Sequence, residues 1–210
     1  MQPAPRLLRY LAALAKNTLV YIKNFIEDRD VASVMPSSPF LVRRMVEKMD
    51  LGGGEVVVEY GPAAGVFSRS ILRDMGPEGR LILIETNADF VRRLREQFGN
   101  DPRVEIFEEP AQDVARLLDQ AGAEKADYIL SGIPFSFLDS EASHALIAAT
   151  RETLVPGGAF LVYQHRAHMS RLLPQHFEHI EEGYELLNVP PMHTYRAVRT
   201  AGDGRQTADA

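Results

Sequence analysis

Apolar residues recur at three- and four-residue spacing near the start of the chain, where Leu7, Leu11, Leu14, Thr18, Ile22 and Phe25 mark one side of a helix over roughly residues 5 to 26. Asp28 to Asp30 break the pattern. Pro36-Ser-Ser-Pro39 then starts a second helix that runs to about Met49, with Ser38 as its N-cap and Pro39 in its first turn. After the linker Gly52 to Gly54 the rhythm changes. Val56, Val57 and Val58 form an unbroken β-branched run, the pattern of a parallel strand covered on both faces. Helical spacing resumes from Val66 to Met75, and Leu81 to Ile84 reads as a second strand. Asn87 to Phe98 (helix), Val104 to Phe107 (strand), Ala111 to Gln120 (helix), Ala126 to Leu130 (strand) and Ser140 to Leu154 (helix) continue the alternation. Pro156-Gly-Gly158 reads as a turn before a fifth strand, Ala159 to Tyr163. His168 to Phe177 then reads as helical, and Tyr184 to Val189 with His193 to Val198 as a closing antiparallel pair across Pro190 and Pro191. Residues 200 to 210 are polar and expected to fray.

Strand and helix in regular alternation predict an α/β chain with a parallel, doubly wound sheet. With 210 residues the chain is long enough for one such domain, expected over residues 27–199, with residues 1–26 as an added helix and 200–210 as a flexible tail. Cysteine is absent, which excludes both a disulfide framework and a thiolate metal site and suits a reducing cytoplasm. No apolar run reaches the ~18 residues that span a bilayer, and no signal-peptide pattern stands at the amino end. The chain is therefore expected to be soluble or to lie on a membrane.

The net charge of −6 conceals an asymmetry. Residues 1 to 26 carry Arg6, Arg9, Lys16 and Lys23 and no acid, so the rest of the chain holds 19 basic side chains against 29 acidic ones. An acidic body opposes a nucleic-acid substrate, because phosphate binding needs clustered positive charge. The basic helix at 5–26 suits an anionic membrane surface, its cations near lipid phosphates and Tyr10 and Tyr21 at the polar boundary. The competing reading is a helix packed on the domain with solvated lysines.

The chemistry concentrates where the first strand ends. Glu59-Tyr-Gly61-Pro62-Ala63-Ala-Gly65 places a carboxylate at a strand end and runs into a glycine-bounded turn that brings bare backbone close to a ligand. Glu85 closes the second strand twenty residues past Gly65, the spacing at which a strand-end acid accepts from both hydroxyls of a ribose. A dinucleotide fingerprint would have a glycine at Ala63, and Glu59 would repel a pyrophosphate. S-adenosylmethionine, which has a cationic amine and no phosphate, fits better. A nicotinamide or flavin dinucleotide and a strand-turn-helix without ligand are the competing readings.

The order Glu-x-Gly-x-x-x-Gly, then Glu85, then Ser131-Gly-Ile-Pro-Phe135 resembles the class I S-adenosylmethionine-dependent methyltransferases. Asp30-Val-Ala-Ser-Val-Met-Pro-Ser-Ser-Pro39 and Asn188-Val-Pro-Pro191 are similar to the bacterial phospholipid N-methyltransferases, relatives of the ribosomal RNA adenine dimethylases. The resemblance covers roughly residues 20 to 198. It implies a Rossmann-like class I methyltransferase fold, with a mostly parallel seven-stranded sheet, an antiparallel edge and the extra N-terminal amphipathic helix. It also implies that Glu59, Gly61, Pro62, Ala63 and Gly65 surround the methionine part of the donor, that Glu85 holds its ribose, and that Thr86 and Asn87 shape the edge of the adenine pocket. Ser38 either bonds the donor carboxylate or serves as a plain N-cap. The family usually has Gly-Asp-Ala after the third strand; this chain has Glu109-Pro110-Ala111, leaving the Ala111 N–H and Gln112 to meet the adenine.

Methyl transfer from a sulfonium requires an attacking lone pair aligned opposite the sulfur, and exclusion of water. Where the dimethylases carry Asn-x-Pro-aromatic, this chain has Ser131-Gly132-Ile133-Pro134-Phe135. A serine cannot grip a planar adenine amine in bidentate fashion, but its hydroxyl and the Gly132 or Ile133 carbonyl can orient an alkyl amine, with Pro134 and Phe135 beside the acceptor. The amine must also lose a proton. His165 after the fifth strand is the candidate to take it, with an exposed loop histidine as the competing reading, and Tyr21, if the first helix folds over the site, is a candidate to contact the amine. Arg166 pairs either with the lipid phosphate or with a surface carboxylate. His144 and His168 read as structural or solvated, and no grouping has metal-ligand spacing, so no metal is expected. The expected activity is methylation of the amine head group of phosphatidylethanolamine and its methylated forms, towards phosphatidylcholine, at the inner face of the membrane, leaving S-adenosylhomocysteine. The rivals are an rRNA adenine N6-methyltransferase and a membrane-associated protein that binds the donor without catalysis.

Overall fold

A computed structural model describes residues 37–200. The helix expected over residues 5–26, with Tyr21, and the tail from 201 onward lie outside the described residues.

The parallel part of the sheet is built from β1 (Val56–Tyr60), β2 (Arg80–Glu85), β3 (Val104–Glu108), β4 (Ala126–Ser131) and β5 (Leu154–Gln164). A hairpin of β6 (His179–Glu185) and β7 (Met192–Val198) completes it, β7 lying antiparallel to both β5 and β6. The order β3-β2-β1-β4-β5-β7-β6 makes seven strands, mostly parallel with an antiparallel edge, as expected. The strand order reverses between β1 and β4, where an open α/β sheet leaves a crevice at the carboxyl ends of its strands.

Alternate residues of the central strands face opposite layers. Val57, Leu81, Leu83, Leu130 and Leu161 meet Leu41 and Met45 of α1 (Pro39–Val46), Phe67 and Ile71 of α2 (Val66–Asp74), and Leu94 and Phe98 of α3 (Ala88–Phe98). Val58, Ile82, Ile84, Ile129 and Phe160 meet α4 (Val114–Gln120), α5 (Ser140–Thr153) and α6 (Met169–Leu172) on the other side. Each such buried aliphatic or aromatic side chain contributes roughly 1.5–3 kcal/mol. Burial on both faces explains why the strands read as continuous apolar runs.

Several elements depart from their expected bounds. The helix expected from His168 to Phe177 is one α-turn, α6, followed by a 3-10 turn at Leu173–Gln175, because Pro174 cannot donate to a continuing helix. The helix expected from Ala111 likewise begins as a 3-10 turn, Ala111–Asp113, before α4. Strand β6 ends at Glu185, so Leu186 to Pro191 connect the hairpin; Pro190 and Pro191 have no N–H for a ladder, and the Val189–Pro190 bond is cis. Residues 156–158, expected as a turn, are drawn into β5, with a register shift against β4 between Ala126 and Tyr128.

Candidate functional site

The crevice forms where β1 turns into α2. Gly61 (φ 64°) donates its N–H to the Ile84 carbonyl at 2.9 Å, and Gly65 (φ 70°) donates to Pro62 at 2.8 Å before α2 begins. A side chain is excluded at Gly65, where a Cβ would lie 2.6 Å from the Phe98 ring. Ala63 also adopts a left-handed φ of 48°, the only described non-glycine residue to do so.

The two acids flank this turn differently. Glu85 accepts from the backbone N–H groups of Thr86 (2.9 Å) and Asn87 (3.0 Å) through Oε1 and of Ala63 (3.1 Å) through Oε2. It thereby ties the glycine turn to the start of α3. A carboxylate offers about four acceptor positions. Three are in use, and Oε2 keeps an acceptor position towards the crevice. Asn87 is committed to capping α3, accepting from Asp89 and Phe90. Thr86 is exposed beside it.

Glu59 lies beneath the turn, 2% exposed, and accepts from the Ser68 hydroxyl at 2.6 Å. Burial pushes its pKa up, the Ser68 hydrogen bond opposes the shift, and the Glu85 charge adds to it; the result is a carboxyl near about 7. Glu59 is therefore set beneath the crevice and is not an open wall of it.

Beyond β4, Ser131 is fully buried and its Oγ accepts from the Ile133 N–H at 3.3 Å. The Ile133 carbonyl, expected to orient an amine, accepts from Gln164 Nε2 at 2.7 Å, and Gln164 Oε1 accepts from the Phe135 N–H at 3.2 Å. One buried amide thus clamps the Ser131–Phe135 loop on both sides of Pro134. The Ser131 hydroxyl is turned into its own loop, and the second lone pair of the Ile133 carbonyl remains for an acceptor. Phe135 is buried and Pro134 partly so. His165 and Arg166, immediately past β5, are exposed on the same edge of the sheet. Ala111 is buried at the end of β3, with Gln112 exposed next to it.

Ser38 caps α1, its Oγ accepting from the Leu41 N–H at 3.2 Å, while its own N–H donates to Asn188 Oδ1 at 2.8 Å. Asn188 also donates to the Pro190 carbonyl at 2.7 Å. The two stretches that carried the finer resemblance, 37–39 and 188–191, therefore meet in space. Between them and the crevice stands Tyr163. Its ring stacks on Phe67 with centroids 4.9 Å apart, and its hydroxyl bonds Ser37. Burial and the nearby Glu59 charge push this phenol above its ordinary range, the Ser37 hydrogen bond opposing them. A Cβ on Gly132 would fall 2.6 Å from the Tyr163 hydroxyl, so the loop backbone closes directly on that ring.

Sequence reasoning missed Ser68, Tyr163 and Gln164. A signal existed for the last two. Tyr163 and Gln164 directly follow the apolar run 159–162, the same strand-end placement that singled out Glu59 and Glu85.

Comparison with known proteins agrees with this geometry. The family described as "Methyltransferase small domain" matches residues 32–188. The ornithine lipid N-methyltransferase of Singulisphaera acidiphila is 32% identical over 180 residues, spanning 82% of this chain and 91% of that protein. A probable ribosomal RNA small subunit methyltransferase A of Thermococcus kodakarensis is 29% identical over 97 residues, but this chain spans only 33% of its length. Among solved structures, the precorrin-6y C5,15-methyltransferase of Geobacter metallireducens superposes with a TM-score of 0.65 at 16% identity, over 80% of this chain and 93% of that one.

Proposed function

The chain belongs to the methyltransferase small-domain family of S-adenosylmethionine-dependent enzymes, and from that premise we propose that it methylates the amine head group of a membrane lipid, phosphatidylethanolamine and its methylated forms. The observation that carries the reading is the match along 91% of the length of an ornithine lipid N-methyltransferase. The acceptor loop supports it, since Ser131 supplies no carboxamide at the strand end to grip a nucleobase amine.

In this reading the donor lies over the carboxyl ends of β1 and β2. One ribose hydroxyl meets Glu85 Oε2, Gly61 to Gly65 pass under the methionine portion, and the Glu59 charge balances its ammonium. Ala111 and Gln112 border the adenine, and the Ser38 end of α1 faces the donor carboxylate. The sulfonium is already activated, so the protein's task is alignment and exclusion of water. The acceptor amine enters beside Ile133, Pro134 and Phe135, and the exposed imidazole of His165 takes its proton. Tyr21 and the basic segment 5–26 would hold the enzyme against anionic lipid at the inner face of the membrane.

Labelled methyl incorporation tests the reading. With vesicles of phosphatidylethanolamine, vesicles of ornithine lipid and purified rRNA offered in parallel, label is expected in the first lipid. Label confined to ornithine lipid would replace the substrate, label only in rRNA would overturn the lipid reading, and bound donor with no transfer would favour a binding protein.

A further inference from the structure

The loop after β4 and the segment after β5 border an open pocket next to the place where the acceptor amine would enter. Phe135, Ser136 and Leu138 line one side, Arg166, His168 and Arg171 the other. No carboxylate lines it. Both arginines are exposed, and neither makes an ion pair among the described residues, whereas most other described arginines are paired with acids. The nearest acid along the chain, Asp139, spends its carboxylate on the Ala142 N–H as the cap of α5. His168, in the same lining, sits against the Arg166 backbone, and burial lowers its pKa, so it brings no competing negative charge to the two guanidinium groups.

The surroundings indicate what kind of molecule brings that anion. Five large apolar side chains are exposed among the described residues: Phe40, Phe137, Tyr184, Leu186 and Leu187. Each lies at the edge of the sheet where the parallel strands end. Phe137 is in the loop after β4, Tyr184 to Leu187 lead out of β6 beside the end of β5, and Phe40 follows Ser38, which bonds Asn188 in that same connection. Two arginines beside Phe135, Leu138 and Leu172, with the exposed Phe137 in the same loop, suit a molecule with an anion and a hydrocarbon chain.

Resting on the lipid reading above, we propose that this pocket is the subsite for the anionic group of the acceptor amphiphile, held by the guanidinium groups of Arg166 and Arg171, with Phe135, Leu138 and the exposed Phe137 against its hydrocarbon. The clamp fixes the head group beside the Ser131–Phe135 loop so that its amine faces the donor. Arg171 and Arg166 are positioning residues here: they orient the acceptor and take no part in the bond changes.

The test compares the full-length protein with Arg171→Gln and with Arg166→Gln/Arg171→Gln, using Arg92→Gln, an exposed pair on α3, as the control. With phosphatidylethanolamine or ornithine lipid, loss of a charge-assisted contact is expected to raise KM about ten- to a hundredfold while kcat stays within about twofold. With octadecylamine, which has the amine and chain but no anion, KM is expected not to change between the proteins. An equal rise for octadecylamine, or no rise for either lipid, overturns the proposal. Calorimetry with dihexanoylphosphatidic acid reads the subsite without catalysis, so it answers even if no lipid is methylated and the wider reading fails. Binding weakened about tenfold or more by Arg171→Gln supports the subsite. Unchanged binding, or inorganic phosphate binding as tightly as the lipid, overturns it.

Discussion

Glu59 couples the stability of the domain to pH. Its folded pKa near about 7 lies above the ordinary 4.5, so the folded protein holds that proton more tightly than the unfolded chain. Stability should therefore fall as pH rises from about 4.5 to about 7 and be level above, by roughly 3 kcal/mol from this group. Glu59→Gln keeps an acceptor for Ser68 and should flatten the slope, as urea denaturation at pH 5.5 and pH 8 would show; an unchanged slope would assign it elsewhere. If the donor ammonium balances Glu59, binding of S-adenosylhomocysteine at pH 6.5 should release a proton, read by calorimetry in two buffers of different ionisation enthalpy. Ala63 gives a second prediction. Its left-handed backbone is strained for any residue with a Cβ, and Ala63→Gly should stabilise by up to about 1 kcal/mol after the extra freedom of glycine in the unfolded chain is set against the relief. That Ala63 departs from the usual glycine was visible in the sequence. That it nonetheless keeps the glycine conformation was not, because a dihedral depends on the Glu85 bond to its N–H across 22 residues.

The loop after β4 is held by Gln164 and closes on Tyr163, and the connection between β6 and β7 is held by its own Asn188. Gly132→Ala would drive a methyl into the Tyr163 hydroxyl and come within 3.1 Å of the Gly61 carbonyl, so loop and glycine turn would separate. Methyl transfer should drop sharply, with thermal melting lowered by less than a core truncation; wild-type kinetics would show that the loop tolerates displacement. Asn188→Ala removes the acceptor of the Ser38 N–H and the donor to Pro190. It should cost about 1–3 kcal/mol in urea denaturation, since the Ser38 N–H is left buried without its acceptor. Strong periodicity made α2, α3, α5 and the strands β1 to β4 readable to within a residue or two. The weakly patterned elements were not: α6 stops after one turn at Pro174, and the bounds of β6 follow from ladder bonds to β7 that alternation in the sequence only suggests.

Taken whole, the molecule separates its charges. The described domain is acidic on balance, but Arg166 and Arg171, two of its arginines without a described ion pair, stand at the end of the sheet that also carries the exposed apolar side chains. If segment 5–26 supplies the main attraction to lipid, deleting residues 1–20 should abolish sedimentation with anionic vesicles and leave donor affinity intact; sedimentation unchanged would place the attraction within residues 37–200. No helix among the described residues is long and apolar enough to cross a membrane. Chain order alone specified the alternation of strand and helix, the turn after β1 and the acids that flank it, because these rest on contacts between near neighbours and on the two-sided burial of parallel strands. The pairing of residues 37–39 with 188–191, the Gln164 clamp on the acceptor loop, the burial of Glu59 and Ser131, and the gathering of Arg166 and Arg171 into one pocket came from the packed chain. Each joins groups that no local pattern links: 150 residues separate Ser38 from Asn188, and 31 separate Gln164 from Ile133.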